Sequence, residues 1–320
     1  MKLVTLRSLD KGHAGVVVGQ HILDLVLAAA TIPAARLLPS SLRAILQTQD
    51  EGLALVRKIA ERVESERSLW ERLFEVGAVV AHDGASLMAP IPDPALILSV
   101  GTNYRSHQAE MGGKAPSAPS AFIKCNGSII GTRDAIVLPP SNSQMVDFEG
   151  EFCVVIGRTC QRVTERDAMQ YVAGYTLAND VSARDWVPDM RTAAAASDIT
   201  AFNQASLYNI NGKNFPTFCP LGPSLVTADE IVDPQAVIFR TVINGDEMQL
   251  GDTSDMIFPI TFIISEFSKF YRFVPGDIIT TGSPAGAGMG RKPPRFLRSG
   301  DQVRITSEKI GTLENPVVAG

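Results

Sequence analysis

Hydrophobic and polar positions along the chain follow two periods. Leu53, Val56, Ile59, Ala60 and Val63 recur at helical spacing, with Arg57, Lys58, Glu61 and Arg62 between them. That pattern predicts an amphipathic helix with one buried stripe. Ile260, Ile263, Ile264 and Phe267, with Pro259 near the first turn, predict another. Thr164 and Asp167 ahead of residues 168–172 predict a capped helix. Short β-type runs stand at 4–6, 16–18, 96–100 and 152–156, the last two closed by Gly101 and Gly157. Residues 237–243 followed by Asn244-Gly245 predict a hairpin, because both turn positions tolerate positive φ. Residues 300–305 and 310–313 predict two further strands joined by a charged turn. Pro90, Pro92 and Pro94 can continue neither a helix nor a central strand, so they mark a domain entry. The chain divides on this pattern into a small N-terminal α/β unit, residues 1–92, and a unit spanning 93–320. In the second unit strands outnumber helices without regular alternation, which predicts an α+β, β-rich fold.

Composition narrows the function classes. With 320 residues, 45% hydrophobic and 20% charged, the chain buries a large core and is not intrinsically disordered. Its 29 basic residues against 34 acidic ones give a net charge of −5. That balance offers no basic footprint for nucleic acid and no polybasic patch for a membrane. Cys125, Cys153, Cys160 and Cys219 form no CxxC pair and read as reduced, mostly structural thiols. The start has no long apolar segment. The most apolar early stretch, 25–35, contains Pro33, is followed by Arg36, and falls short of the ~20 residues of a membrane span. A soluble cytoplasmic protein is expected.

Four segments carry candidate chemistry. In the run DFEGEFCVVIG, Glu149 and Glu151 lie at i and i+2, hence on one face of a strand. Two such carboxylates repel unless a cation or a proton sits between them; alone, the pair also fits a solvated edge strand. Asp180 ends a second apolar run, YTLAND, where a turn or a helix cap is the ordinary alternative. Three oxygen donors without a nearby His or Cys suit a hard ion such as Mg²⁺ or Mn²⁺ rather than zinc. His107 and Glu110 lie three apart, so on a helical turn the carboxylate can orient the imidazole as a general base. Gly112-Gly113 and the small, polar residues 114–120 follow, as in a movable lid. His13, His21 and His82 have no such partner in sequence. The glycine-rich run at 282–290 does not match GxxxxGK[ST] and reads as backbone packed against a ligand or a strand. Lys213, beside Gly212, is either a stabiliser of developing oxyanion charge or an ordinary surface lysine.

Taken in order, VGTNYRSHQAEM, FIK, DFEGEFCVVIG, YVAGYTLANDVSARD, GKNFPTFCPLGP, PGDIITTGSPAGAGMG and GDQVRITSEKIGTLENPV resemble the fumarylacetoacetate hydrolase family over roughly residues 96–318. The resemblance implies a catalytic domain of rolled, mixed β-sheet, assembled as a homodimer, behind a small variable N-terminal domain. It implies a divalent metal, Mg²⁺ or Mn²⁺ with Ca²⁺ as an alternative, held by Glu149, Glu151 and Asp180. It further implies a His107–Glu110 base dyad on a segment that orders with substrate, and Lys213 as an active-site lysine. Tyr104, Lys124, Arg184 and Ser283 fall at substrate-side motif positions; the family more often has Thr where Ser283 stands. Many members carry a Gln after SARD that helps hold the substrate's acid group, whereas this chain reads Trp186-Val187. The alanine-rich insert at 190–211 is also less typical. The implied activity is hydrolysis of a carbon–carbon bond in an acylpyruvate or β-diketone acid through a metal-stabilised enolate. Decarboxylation, isomerisation or hydration of a 2-oxo acid at the same site is the alternative, and a non-catalytic binding protein is the remaining one.

Overall fold

The computed structural model describes residues 1–8, 12–112, 114–188 and 197–320. Gly113 of the expected lid and residues 190–196 of the insert lie outside the described residues. A large mixed sheet organises the molecule. From one edge its strands run Val79–Ala81, His21–Asp24, His13–Val18, Lys2–Leu6, Cys219–Thr227, Val172–Asn179, Gly150–Ile156, Ile278–Thr280, Ile97–Gly101 and Ser120–Lys124. Residues 1–92 therefore share this sheet with the rest of the chain: Leu3 is registered opposite Leu225, and the Met1 amine donates to Thr227 Oγ1 at 2.7 Å. A second sheet of Asp246–Asp252, Ile238–Ile243, Gln302–Ser307, Gly311–Ala319 and Ile136–Leu138 rolls against it.

The two largest hydrophobic cores follow from this layering. On one face, Val56, Ile59 and Val63 of the helix Asp50–Ser65 pack with Leu3, Cys153, Val155, Leu221 and Leu225. On the other face, Phe152, Val154 and Tyr175 meet Phe239, Ile305 and Leu313 of the second sheet, together with the apolar side of the helix Ile260–Phe267. The strand Gly150–Ile156 is buried along its whole length because both faces are covered. That burial explains its continuous apolar run in place of alternation.

The sequence patterns are largely realised. Asn244 (φ 54°) and Gly245 (φ 96°) make the hairpin turn. One element differs. The capped segment after Thr164 is a 3₁₀ helix, Glu165–Tyr171, and Val172 already begins the next strand. The Thr164 hydroxyl accepts the Asp167 N–H at 3.3 Å as expected, and the segment stays in the tighter 3₁₀ winding up to the strand. His13 also differs: its Nδ1 lies 2.8 Å from Asp24 Oδ2, a cross-strand partner that sequence spacing does not reveal. All four cysteines are free. Among the described residues no helix is long and apolar enough to cross a membrane.

Candidate active site

Adjacent strands bring the three carboxylates together. Asn179 pairs with Gly150, and the Asp180 N–H donates to the Glu149 carbonyl at 2.8 Å. The first residue past one strand therefore stands beside the first residue before the other. Glu151, two positions beyond Glu149, projects to the same side. Oxygens of Glu149, Glu151 and Asp180 lie within 4.8 Å of one another, and Glu151 and Asp180 are almost wholly buried. At an effective dielectric near 20, unit charges about 4 Å apart repel by about 4 kcal/mol. Three carboxylates at this spacing require compensation.

Three cations, the buried Lys213 and Lys124 and the half-buried Arg184, supply part of it. Lys213 Nζ donates to Glu149 Oε2 at 2.8 Å and to Asp180 Oδ2 at 2.5 Å. Lys124 Nζ donates to Asp180 Oδ1 at 2.5 Å and to the Lys213 carbonyl at 2.5 Å. Arg184 pairs with Glu149 Oε1 and reaches Asp147 Oδ2 through Nη2 at 2.9 Å and Nε at 3.1 Å. Burial disfavours the ionised Glu149, but the Lys213 and Arg184 charges outweigh it and hold this carboxyl well below its usual range. Burial likewise works against the Lys213 ammonium, and the Asp180 and Glu149 charges raise its pKa nonetheless.

Glu151 has no cation of its own. Its Oε2 accepts the Gly282 N–H at 3.0 Å. Burial first, then the Asp180 and Glu149 charges, push its pKa from 4.5 up to about 8. Four carboxylates, counting Asp147, thus face three cations, and the uncompensated one is the middle member of the acidic cluster. A hard divalent cation, which takes oxygen ligands, fits this donor set: it would replace the proton that Glu151 otherwise retains.

The helix Arg105–Met111 carries the imidazole. His107 Nδ1 lies 3.3 Å from Glu110 Oε2, and His107 stands near enough to Glu149 to act on it electrostatically. None of this helix's residues is buried. It is tied down by the Ser106 N–H to Asp255 Oδ2 at 2.9 Å and by Arg105 Nη1 to the Met256 carbonyl at 2.6 Å. The Gly286 N–H reaches both Glu110 oxygens, at 3.1 and 3.2 Å.

The remaining expected site residues face other groups of the protein. Tyr104 was expected at substrate. Its ring is fully buried edge-on to Phe239, and its hydroxyl meets Thr281 Oγ1 at 3.5 Å. A bridge to Met256 turns this backbone so that the ring points into the core. Ser283 Oγ is buried and accepts from Gln249 Nε2 at 2.8 Å. Lys124 and Arg184 face carboxylates rather than open space. Trp186 is partly exposed and packs edge-on to Phe215 at 5.3 Å. Two contributors escaped the sequence reading. Asp147 shares the i, i+2 spacing of the glutamates and was legible in the same run. Gln249, whose Oε1 accepts the Gly150 N–H at 2.9 Å, lies 99 residues from its partner, and no spacing announces it.

Comparison with known proteins adds independent findings. The family model for the fumarylacetoacetate hydrolase C-terminal region matches residues 96–318. The chain is 41% identical over 240 residues to a mitochondrial oxaloacetate tautomerase of Xenopus laevis, covering 75% of this chain and 70% of that protein. It is 34% identical over 322 residues to an oxaloacetate tautomerase of Bacillus subtilis, covering 99% and 100% of the two. Among solved structures it resembles maleylpyruvate hydrolase from a Sphingobium species, determined with manganese(II) and pyruvate. The TM-score is 0.70 at 28% identity, with full coverage of both chains.

Proposed function

Since the chain belongs to the fumarylacetoacetate hydrolase family, we propose that it is a divalent-metal-dependent enzyme that interconverts the keto and enol forms of a 2-oxo acid of the oxaloacetate type. The observation that carries this reading is the uncompensated Glu151 at the centre of the acidic cluster, with the His107–Glu110 pair nearby. Glu149, Glu151 and Asp180 are the residues to hold Mg²⁺ or Mn²⁺. When bound, such an ion supplies Lewis-acid stabilisation of enolate charge.

The chain's own groups do the rest. Glu110 sets the imidazole through Nδ1, leaving Nε2 to take a proton from C3 of the substrate and return it at the C2 oxygen. One C–H bond breaks, one O–H bond forms, and no water is consumed. Lys213, held between Glu149 and Asp180, keeps positive charge beside the enolate oxygen. Lys124 and Arg184 fix the carboxylates and need not touch substrate. Similarity to two oxaloacetate tautomerases supports placing this reaction ahead of carbon–carbon hydrolysis. Hydrolysis of an acylpyruvate is the second reading, favoured by the likeness to maleylpyruvate hydrolase; there His107 takes its proton from water.

The test follows decay of enol-oxaloacetate absorbance with Mn²⁺ and with chelator, alongside release of pyruvate from acylpyruvates. Mn²⁺-dependent decay that falls at least ~100-fold in His107→Ala, as expected for a lost general base, is the predicted result. Pyruvate release without tautomerisation would establish the second reading instead. Neither activity in the Mn²⁺-loaded protein would refute both.

A further inference from the structure

The turn that follows Glu151's hydrogen-bond donor has a second function in the geometry. Residues 282–290 return past the base dyad, and Glu110 lies in a pocket of this backbone. Its two oxygens accept the Gly286 N–H. A Cβ built at Gly290 would stand 2.5 Å from Glu110 Cδ and 3.0 Å from Oε1, and the carboxylate supplies all three of its nearest neighbours. The turn itself is pinned. The Met289 N–H donates to Asp147 Oδ1 at 3.3 Å, and a Cβ at Gly288 would meet that same oxygen at 2.7 Å. Asp147 in turn holds Arg184 on Glu149.

We propose that Gly290 is a positioning residue: its missing side chain is the space into which Glu110 fits, and this seat sets the distance from Glu110 to His107. The inference rests on the role given to His107 above and extends it to a residue that touches neither substrate nor metal ligands. Two features make Gly290 decisive rather than incidental. Its φ lies outside the left-handed region, so alanine adopts its backbone without strain. The atoms in the way belong to the free end of a flexible side chain, so Glu110 moves and the fold stays. Gly286 differs on both counts. Its φ is 95° and a Cβ there would strike the Met248 backbone carbonyl, so its glycine is required by the turn alone.

The experiment is a Gly290→Ala variant, made singly and in a Glu110→Ala background, with kinetics and a crystal structure of the single variant. The expected structure has the Glu110 carboxylate displaced from the Gly286 N–H and from His107. The expected kinetics are a fall in kcat of about 100-fold, the usual consequence of misplacing a catalytic group by about 1 Å. KM should stay within about threefold, and Gly290→Ala should produce no further fall in the Glu110→Ala background. Mn²⁺ affinity should be unchanged. Glu110 remaining in its seat, or an equal fall in both backgrounds, would overturn the proposal. A wild-type protein inactive on every 2-oxo acid would count against the functional reading alone, because the variant's structure decides the seat by itself.

Discussion

Individual side chains in this site are governed by charge balance more than by reach. Lys124 is the clearest case. It was expected near substrate, yet its ammonium is buried against Asp180 and the Lys213 carbonyl. Removing one member of a buried ion pair costs about 3–5 kcal/mol. Lys213 remains as a partner to Asp180, so Lys124→Met should cost about 3 kcal/mol, the lower end of that range. Urea unfolding measures it, and a cost within experimental error would show that the pair contributes nothing. The two glutamates and the dyad were legible because each pair has a local spacing, i, i+2 on a strand and i, i+3 on a helix, and Asp180 because it ends an apolar run. That they meet was not, since Glu149 and Asp180 are joined by strand pairing that no local pattern encodes. The orientation of Tyr104 was not legible either. Motif position marks proximity to the site, but the bridge to Met256 decides which way the ring points.

Secondary elements act here as carriers with unequal rigidity. The strand Gly150–Ile156 is buried throughout, whereas the helix Arg105–Met111 buries none of its residues. The carboxylate cluster is thus built on a strand buried throughout and the His107–Glu110 pair on a helix with no buried residue, where local opening costs less. The apolar run made the strand visible in sequence, whereas the helix was legible only through the i, i+3 spacing of His107 and Glu110. The short 3₁₀ helix Glu165–Tyr171 was misjudged because the following strand claims Val172, a choice made by tertiary pairing. Another element couples the first residues to the site: Lys2–Leu6 lies beside Cys219–Thr227, which neighbours the strand ending at Asn179. Leu3 is fully buried in the shared core, so Leu3→Ala should cost about 3 kcal/mol. The whole chain should still unfold in a single transition. Calorimetry showing residues 1–92 melting alone would contradict that coupling.

For the molecule as a whole, one proton links folding to the ion binding proposed above. Burial and two neighbouring charges raise the Glu151 pKa from 4.5 to about 8 in the fold. The folded state therefore binds a proton that the unfolded chain releases above its ordinary carboxyl range. That contribution to stability is complete below about pH 4.5 and is lost as the pH rises through about 8. A cation bound at the cluster displaces the same proton, so its apparent affinity weakens by about tenfold for each pH unit below about 8. Glu151→Gln mimics the protonated state in size and charge, which keeps the fold while removing the ligand. The deciding measurement is the Mn²⁺-induced change in Tm for the wild type and for Glu151→Gln between about pH 6 and about pH 8. The account predicts an increase in the wild type that grows with pH, and none in Glu151→Gln. No increase at any pH, or an equal increase in both proteins, would contradict the claim that Glu149, Glu151 and Asp180 hold one ion.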